Sequence, residues 1–512
     1  MMPLENKNIP LAVTGLTRWL IVVSVMLVAI IEVLDMTIVN VALSPMMGAL
    51  GATQDQITWV LTSYIVSAAI VMPLTGYLVE VVGRKRLLLI NIIGFMGASL
   101  LCGLSHSLTQ IVVFRILQGI FGASLIPLSQ YILLDTFLPE ERGKAMAIWG
   151  IGIMVGPILG PTLGGYITDT ANWRWIFFIN LPVCILAFFM ALQVIIETPR
   201  IHKTTDWVGL FWMVLGVGCL QLFLDRGQTE DWFESKFIIL MAILSVFALT
   251  LFIIRGLKVS HNIINLKLFL DYNFSTGCFV MVIFSMGVFS LIALQPLMVQ
   301  QLMDYPAKIA GLSMAPRGLS SALAMLFIAR YISVVDPRLF IASGLLVSAL
   351  TSYAMSHFTL QTSFNMITMV SLIQGFGIGL FFVPLSTSVF ATLDSSKQAE
   401  AAGLFNFGRN LGTSIGISIT STLLARYTQL NWGYLSAHFS IENPNFQWFL
   451  QQHHWTVQDP KALAYLSREL ARQSSMLAFI NIYWLLAVSF LFAIPFVFLL
   501  KKTTVHKAEL GE

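Results

Sequence analysis

The stretch Gly152–Gly165, GIMVGPILGPTLGG, decides the fold. Its glycines at 152, 156, 160 and 164 recur every four residues. On an α-helix they form one smooth stripe against which a neighbouring backbone can pack closely. Pro157 frees a backbone carbonyl and predicts a bend. A shift of 256 residues lays Gly152, Gly156 and Gly160 on Gly408, Gly412 and Gly416. The same shift carries Gln118-Gly119 onto Gln374-Gly375, and brings Pro127 in LIPLS within one residue of Pro384 in FVPLS. Generic close packing explains one such match, but two segments in register at one shift point to a duplication. The charges do not repeat: Arg115 falls on Ser371, Asp35 on Leu291 and Glu32 on Val288. Scaffold glycines recur, while acids inside apolar runs concentrate in the first half.

Composition sets the environment. Of 512 residues, 57% are hydrophobic and only 11% charged, and the mean hydropathy is +0.82. Soluble domains carry about 25% charged residues, so a water-facing globule is excluded. Ten-residue alternations of a membrane β-barrel are absent from the pattern. The chain reads as an all-α polytopic membrane protein. Its net charge of +4 is scattered between apolar runs, which disfavours a nucleic-acid partner. Cys102, Cys184, Cys219 and Cys278 sit far apart in apolar segments and read as core residues. No histidine lies mid-span, and no metal or other cofactor is expected. The first apolar run lacks a small-residue cleavage site and reads as a retained helix.

Fourteen apolar runs have spanning length, at about 18–41, 57–79, 87–105, 111–133, 145–167, 175–196, 206–225, 237–257, 274–296, 310–330, 339–357, 365–390, 401–425 and 475–500. With both termini cytoplasmic, eighteen of the 29 Lys and Arg residues fall on the inner side and eight on the outer. Three more, Arg115, Arg317 and Arg409, lie inside spans. The duplication divides the runs into a six-helix half at 1–200, two inserted helices at 201–262, and a second six-helix half at 263–512. One long polar stretch, about 427–474, faces outward. It reads either as a solvated loop with Trp432, Trp448 and Trp455 at the membrane interface or as a docking surface. Adjacent His453 and His454 make a poor metal pair, because neighbouring helical residues do not face each other.

Four segments are more specific: LDMTIVNVALSP at 34–45, GYLVEVVGRKR at 76–86, RILQG at 115–119, and the glycine stripe. Together they resemble the signatures of the major facilitator superfamily, above all its fourteen-span drug:proton antiporters of the EmrB/QacA type. IPLSQ at 126–130, RWIFFINLP at 174–182, LDRG at 224–227 and NLKLF at 265–269 extend the similarity over nearly the whole chain. The resemblance implies a major facilitator fold of 6 + 2 + 6 helices in a bacterial inner membrane. It further implies proton-driven export of hydrophobic or amphipathic toxic compounds, as in antibiotic resistance. A periplasmic adaptor and an outer-membrane channel are partners of the tripartite systems to which the EmrB-like tail is similar. In this family the glycine stripe marks antiporters and seals the contact between halves.

The residues carry physical readings of their own. Glu32 and Asp35 are three apart on one helical face, in a setting where carboxyls can load and unload protons near neutrality. Asp35 matches the family's span-one aspartate, although Pro45 is displaced by one position. Alternatively, Asp35 makes a structural hydrogen bond to Asn40. Arg115 cannot deprotonate and is costly at membrane depth, so it should face a cavity or pair with a carboxylate. Gln118 shares its face; tying helices together is the plainer role. Arg317 and Arg409 fit either a contact to an anionic substrate group or snorkelling from a helix end. With Gln118 and Gln374 they are the cavity candidates. Gly76 and Gly83 permit a tight turn held by Arg84 and Lys85. Glu80 is placed to pair with an arginine or a helix N-terminus, as a latch. Where the family has Asp then Arg, this chain has Glu80 and Val81. A positive-inside turn is the simpler reading.

Two other functions share this composition. A membrane enzyme would need a metal-ligand set or a nucleophile–base pair, and the sequence offers neither. A symporter or exporter of one metabolite would use the same fold.

Overall fold

The computed structural model describes residues 15–138, 141–200, 205–259, 263–332, 334–394, 397–439, 443–452, 455–456 and 459–501. Among them there is no β-strand. Fourteen long helices follow the apolar runs: α1 Leu16–Leu50, α2 Trp59–Val82, α3 Arg84–Leu104, α4 Leu108–Thr136, α5 Arg142–Thr170, α6 Trp175–Val194 and α7 Trp207–Arg226. The second set is α8 Lys236–Lys258, α9 Tyr272–Leu302, α10 Ile309–Tyr331, α11 Pro337–Met355, α12 Phe364–Ala391, α13 Gln398–Ser436 and α14 Pro460–Val497. Twelve are long and apolar enough to cross a membrane by that measure alone; the other two, α5 and α13, have 29 and 39 residues and carry the glycine repeat. This is a multi-pass membrane protein.

Helix ends depart from the apolar runs for local reasons. An apolar run marks only the lipid-crossing part, and an amphipathic helix continues into the polar region. α1 ends at Gly51, whose left-handed φ of 62° lets its N–H reach the Met47 carbonyl. α14 begins fifteen residues before the apolar run expected at 475. Pro460 occupies its first turn, and the Asp459 carboxylate accepts from the Lys461 N–H. The 427–474 stretch is therefore no simple loop. It comprises the end of α13, a short helix at Pro444–Gln452, and the first turns of α14. Phe449 and Tyr465 both pack on Trp455 there, so Trp455 belongs to a local aromatic cluster. His453 and His454 lie outside the described residues.

Packing repeats with the sequence. α1 packs on α5 and α6, α4 on α2 and α3, and α3 on α6. In the second half α9 packs on α13 and α14, α12 on α10 and α11, and α11 on α14. The glycines explain the closest pairs. A side chain at Gly156 would run into Val33, and one at Gly160 into Thr37, both on α1. Thr37 donates its hydroxyl to the Gly156 carbonyl at 3.1 Å. Gly152 and Gly164 face Met26 and Ile38 of the same helix. In the second half Gly412 and Gly416 face the Val282 and Met286 backbones of α9. The stripe thus packs within its own half, where the resemblance implied a seal between halves. A helix has more than one face, and the opposite side of α5 makes the cross-half contact through Gly143 on Ile332 and Gly150 on Met325. α5 continues unbroken through Pro157, whose side chain lies outside the described residues.

α7 and α8 pack as a pair, with α7 also against α2 and α13. Ile243, Val246 and Phe247 of α8 are exposed, as on a lipid-facing surface.

Candidate functional site

The site begins on α1, which holds Glu32 and Asp35, both buried. Across from Asp35, α4 presents Arg115 and Gln118 from one face. Arg115 Nη1 donates to Asp35 Oδ2 at 2.6 Å, and Gln118 Nε2 donates to Oδ1 at 2.9 Å. Asn180 of α6 adds a third donor, with Nδ2 2.8 Å from Oδ1. Arg115 also donates from Nη1 to Gln118 Oε1 at 2.8 Å and from Nε to the Val60 carbonyl at 3.1 Å. Ser99 of α3 accepts from Gln118 at 3.2 Å and from Asn180 at 2.9 Å. Removing an ion pair from water is costly, and this one is compensated by hydrogen bonds to most of its remaining valences. Asn40, the alternative partner for Asp35, donates instead to the Met36 carbonyl.

Tyr64 of α2 links the two acids. Its ring lies 4.2 Å under the Arg115 guanidinium, and its hydroxyl donates to Glu32 Oε1 at 3.4 Å. Glu32 Oε2 is buried without a hydrogen-bond partner. The charge that Glu32 senses from the second half is that of Arg409 on α13. On α13 Arg409 lies three residues from Asn406, whose face also carries Asn410, and both asparagines bond to the first half. Asn406 donates to Gln130 at 2.6 Å and Asn410 to the Met72 sulfur at 3.5 Å. Arg409 therefore belongs to the seam between halves, opposite Glu32.

The polar and glycine contacts across the halves gather at the end of the bundle that carries the Gly83–Arg86 turn. Gly76 meets Glu400 of α13, Gly403 meets the Met72 carbonyl, and Trp149 stacks on Phe382 of α12 at 5.7 Å. The turn itself is tied within the first half. Gly83 has φ of 92°, which favours glycine. Arg84 pairs with Asp135 of α4 and donates to the Ile196 carbonyl at 2.8 Å. Glu197, following α6, accepts from the Lys85 and Arg86 N–H groups at 3.1 and 3.2 Å. The α3 N-terminus, one partner considered for Glu80, is thus capped by Glu197. Glu80 is half-buried at the end of α2.

In the second half Arg317 of α10 donates to Gln295 Oε1 of α9, and Gln295 Nε2 donates to Ser371 of α12 at 2.8 Å. Gln374, one turn beyond Ser371, is buried with both side-chain polar atoms unpartnered. The sequence candidates thus form two groups: Asp35, Arg115 and Gln118 in the first half, Arg317 and Gln374 in the second. Glu32 and Arg409 face the seam between them. Among the described residues, no cluster of three or more His, Cys, Asp or Glu could hold a metal ion.

The model of the Major Facilitator Superfamily matches residues 25–417. The chain belongs to the major facilitator superfamily. It is 37% identical over 476 residues to the multidrug export protein EmrB of Haemophilus influenzae, covering 92% of this chain and 93% of that one. The Escherichia coli K12 protein of the same name is 36% identical, with 94% of each chain covered. The fatty acid resistance protein FarB of Neisseria gonorrhoeae is 35% identical, covering 94% of this chain and 96% of its own. Among solved structures, a double-Trp mutant of XylE matches with a TM-score of 0.63 at 14% identity, over 95% of this chain and 96% of that one. The human organic anion transporter MFSD10 matches with a TM-score of 0.60 at 14% identity, over 92% and 99%. At these identities the two structures establish the fold alone.

This membership places the chain in a transporter family rather than an enzyme family. Four residues of this facilitator's site were not singled out from sequence: Asn180, Tyr64, Ser99 and Glu197. Asn180 lies inside the quoted RWIFFINLP, which is the signal that could have found it.

Proposed function

We propose that the chain is a proton-driven multidrug exporter of hydrophobic and amphipathic compounds in a bacterial inner membrane, with both termini cytoplasmic. The observation that carries this reading is the buried Asp35 carboxylate, held by Arg115, Gln118 and Asn180 beside Glu32, whose Oε2 has no hydrogen-bond partner. Protonation of Asp35 cancels its charge and weakens its hold on Arg115; deprotonation restores the pair. The membrane-embedded network thus has two charge states that a proton can switch. The relatives' names, multidrug export and fatty acid resistance, support export of toxic compounds by this chain.

The halves touch where the Gly83–Arg86 turn lies, and rocking about that contact would alternate access to a site between them. The loop charges support a cytoplasmic location for that end. The helical segment between α13 and α14 would then stand outside, available to a periplasmic adaptor and through it an outer-membrane channel. The exporter would need no cofactor beyond the proton gradient. The test is drug-induced proton release from proteoliposomes containing the full chain. Proton release on substrate addition, abolished by an uncoupler, is expected. Transport without ion dependence, or substrate moving in the same direction as protons, would overturn antiport.

A further inference from the structure

We infer that the second half carries a carboxylate-binding site centred on Arg317, filled by the acidic headgroup of an amphipathic substrate. The inference rests on the exporter reading above and names the substrate chemistry one wall of the site would take.

The two halves solve the same polar problem differently. In the first half a guanidinium, a Gln on α4 and an Asn converge on a carboxylate that the chain supplies, Asp35. Under the duplication Gln118 becomes Gln374, but the Asp35 position becomes Leu291. The cation is present, moved from α4 to α10 as Arg317. Arg317 is only 7% exposed, and it makes no ion pair among the described residues. Its Nη2 reaches a neutral amide, Gln295, and its Nε has no partner. Gln374 is 1% exposed, with Nε2 and Oε1 both unpartnered. The next residue, Gly375, lies directly against the Arg317 carbonyl, so a side chain there would collide with it. This contact brings the Gln374 turn of α12 beside the Arg317 turn of α10, and the Gln295–Ser371 bond closes the group from α9.

A buried guanidinium without an acid is expensive, and buried amides are nearly always bonded. Two of the three unmet atoms, Arg317 Nε and Gln374 Nε2, are donors, and a carboxylate accepts from both a guanidinium and an amide. The first half provides that group from α1. In the second half the gap is matched by a ligand's acid, with its apolar chain left to the surrounding walls.

The test uses the full-length protein in phosphatidylcholine nanodiscs, with dodecanoate and dodecanamide as matched probes of equal chain length. The wild type is expected to bind dodecanoate at least about tenfold more tightly than the amide. Arg317→Gln should bring the ratio close to one. Gln374→Glu supplies a carboxylate internally, and should raise the melting temperature while also removing the preference. Three outcomes overturn the site: a wild-type ratio near one, meaning that only water fills the gap; a preference retained in both variants; or competition by phosphatidylglycerol, meaning that a lipid phosphate is the occupant. Dye-induced proton release by the same wild-type protein separates the two readings. Proton exchange without carboxylate preference removes this site alone, whereas no proton exchange removes the exporter reading and leaves the binding ratio to judge the site.

Discussion

At the residue scale, Asp35→Asn reproduces the protonated carboxyl in size and in its amide-donor bonds, and it cannot release the proton. Substrate binding should survive while drug-induced proton release in proteoliposomes falls to background. Near-normal exchange would eliminate Asp35 as the carrier and move suspicion to Glu32. Arg115→Ala leaves Asp35 buried without its cation, and removing one partner of such a pair costs about 3–5 kcal/mol. A lower melting temperature should therefore accompany the lost coupling, whereas Asp35→Asn separates coupling from assembly. Glu32→Gln should be milder, changing the balance between cationic and neutral substrates in paired uptake assays, because Glu32 touches the Arg115 network only through the Tyr64 hydroxyl. The charged part of this arrangement was legible in sequence. An acid or guanidinium in an apolar run is rare and costly, so it announces itself. Asn180, Ser99 and Tyr64 did not, because neutral polar and aromatic side chains are ordinary in membrane helices. Only the fold brings α3 and α6 to Asp35.

At the scale of single helices, the four-residue glycine spacing identified a close contact without identifying its partner. Spacing defines a face, and the neighbour against that face is a matter of tertiary packing. Because the partner of the Gly156–Gly160 face is α1, Gly156→Leu or Gly160→Leu should push α1 and its two acids out of place. Both variants should insert but lose transport and melt lower, with overpacking costing about 1–3 kcal/mol or more. Normal pumping by an inserted Gly160→Leu protein would refute the contact. Helix ends were least legible, since Pro460 with Asp459 starts α14 well before its apolar run. At the start of α7, Arg255 of α8 donates to Asp206 at 2.7–2.9 Å and holds its carboxyl below the usual range. A lowered folded value means the clamp is complete above about pH 4 and is lost as pH falls through that folded value. Asp206→Asn should loosen the α7–α8 pair only slightly in hydrogen exchange at neutral pH, because the pair is partly solvated.

At the scale of the whole molecule, the bonds between halves offer a direct handle on rocking. Asn406 reaches Gln130 at 2.6 Å across the seam. The long Gln130 and Asn406 side chains hold their backbones too far apart for a direct disulfide, so a Gln130→Cys/Asn406→Cys pair bridged by a short bis-methanethiosulfonate reagent should stop transport, and a reductant should restore it. Unimpeded transport by the fully cross-linked protein would show that this seam does not open during the cycle. Duplication and span count could be read from the chain; which end is shut could not, because it depends on the state the two halves adopt.

The inserted hairpin makes the two seams unlike. Along one, α7 is bonded to both halves, through Asp225 to Thr62 of α2 and through Gln221 to Ser414 of α13 at 2.7 Å. Trp232, after α7, donates to Thr422 of α13 at 3.0 Å. Along the other, α5 meets α10 with no such strut among the described residues. Seen from within the plane of the bilayer, the protein has one flank braced by an extra hairpin and one where the halves meet directly, α5 against α10 through Gly143 on Ile332 and Gly150 on Met325. Separating the halves would break or carry along the hairpin's bonds on the first flank and only part helix from helix on the second, so the two sides of the joint would yield unequally.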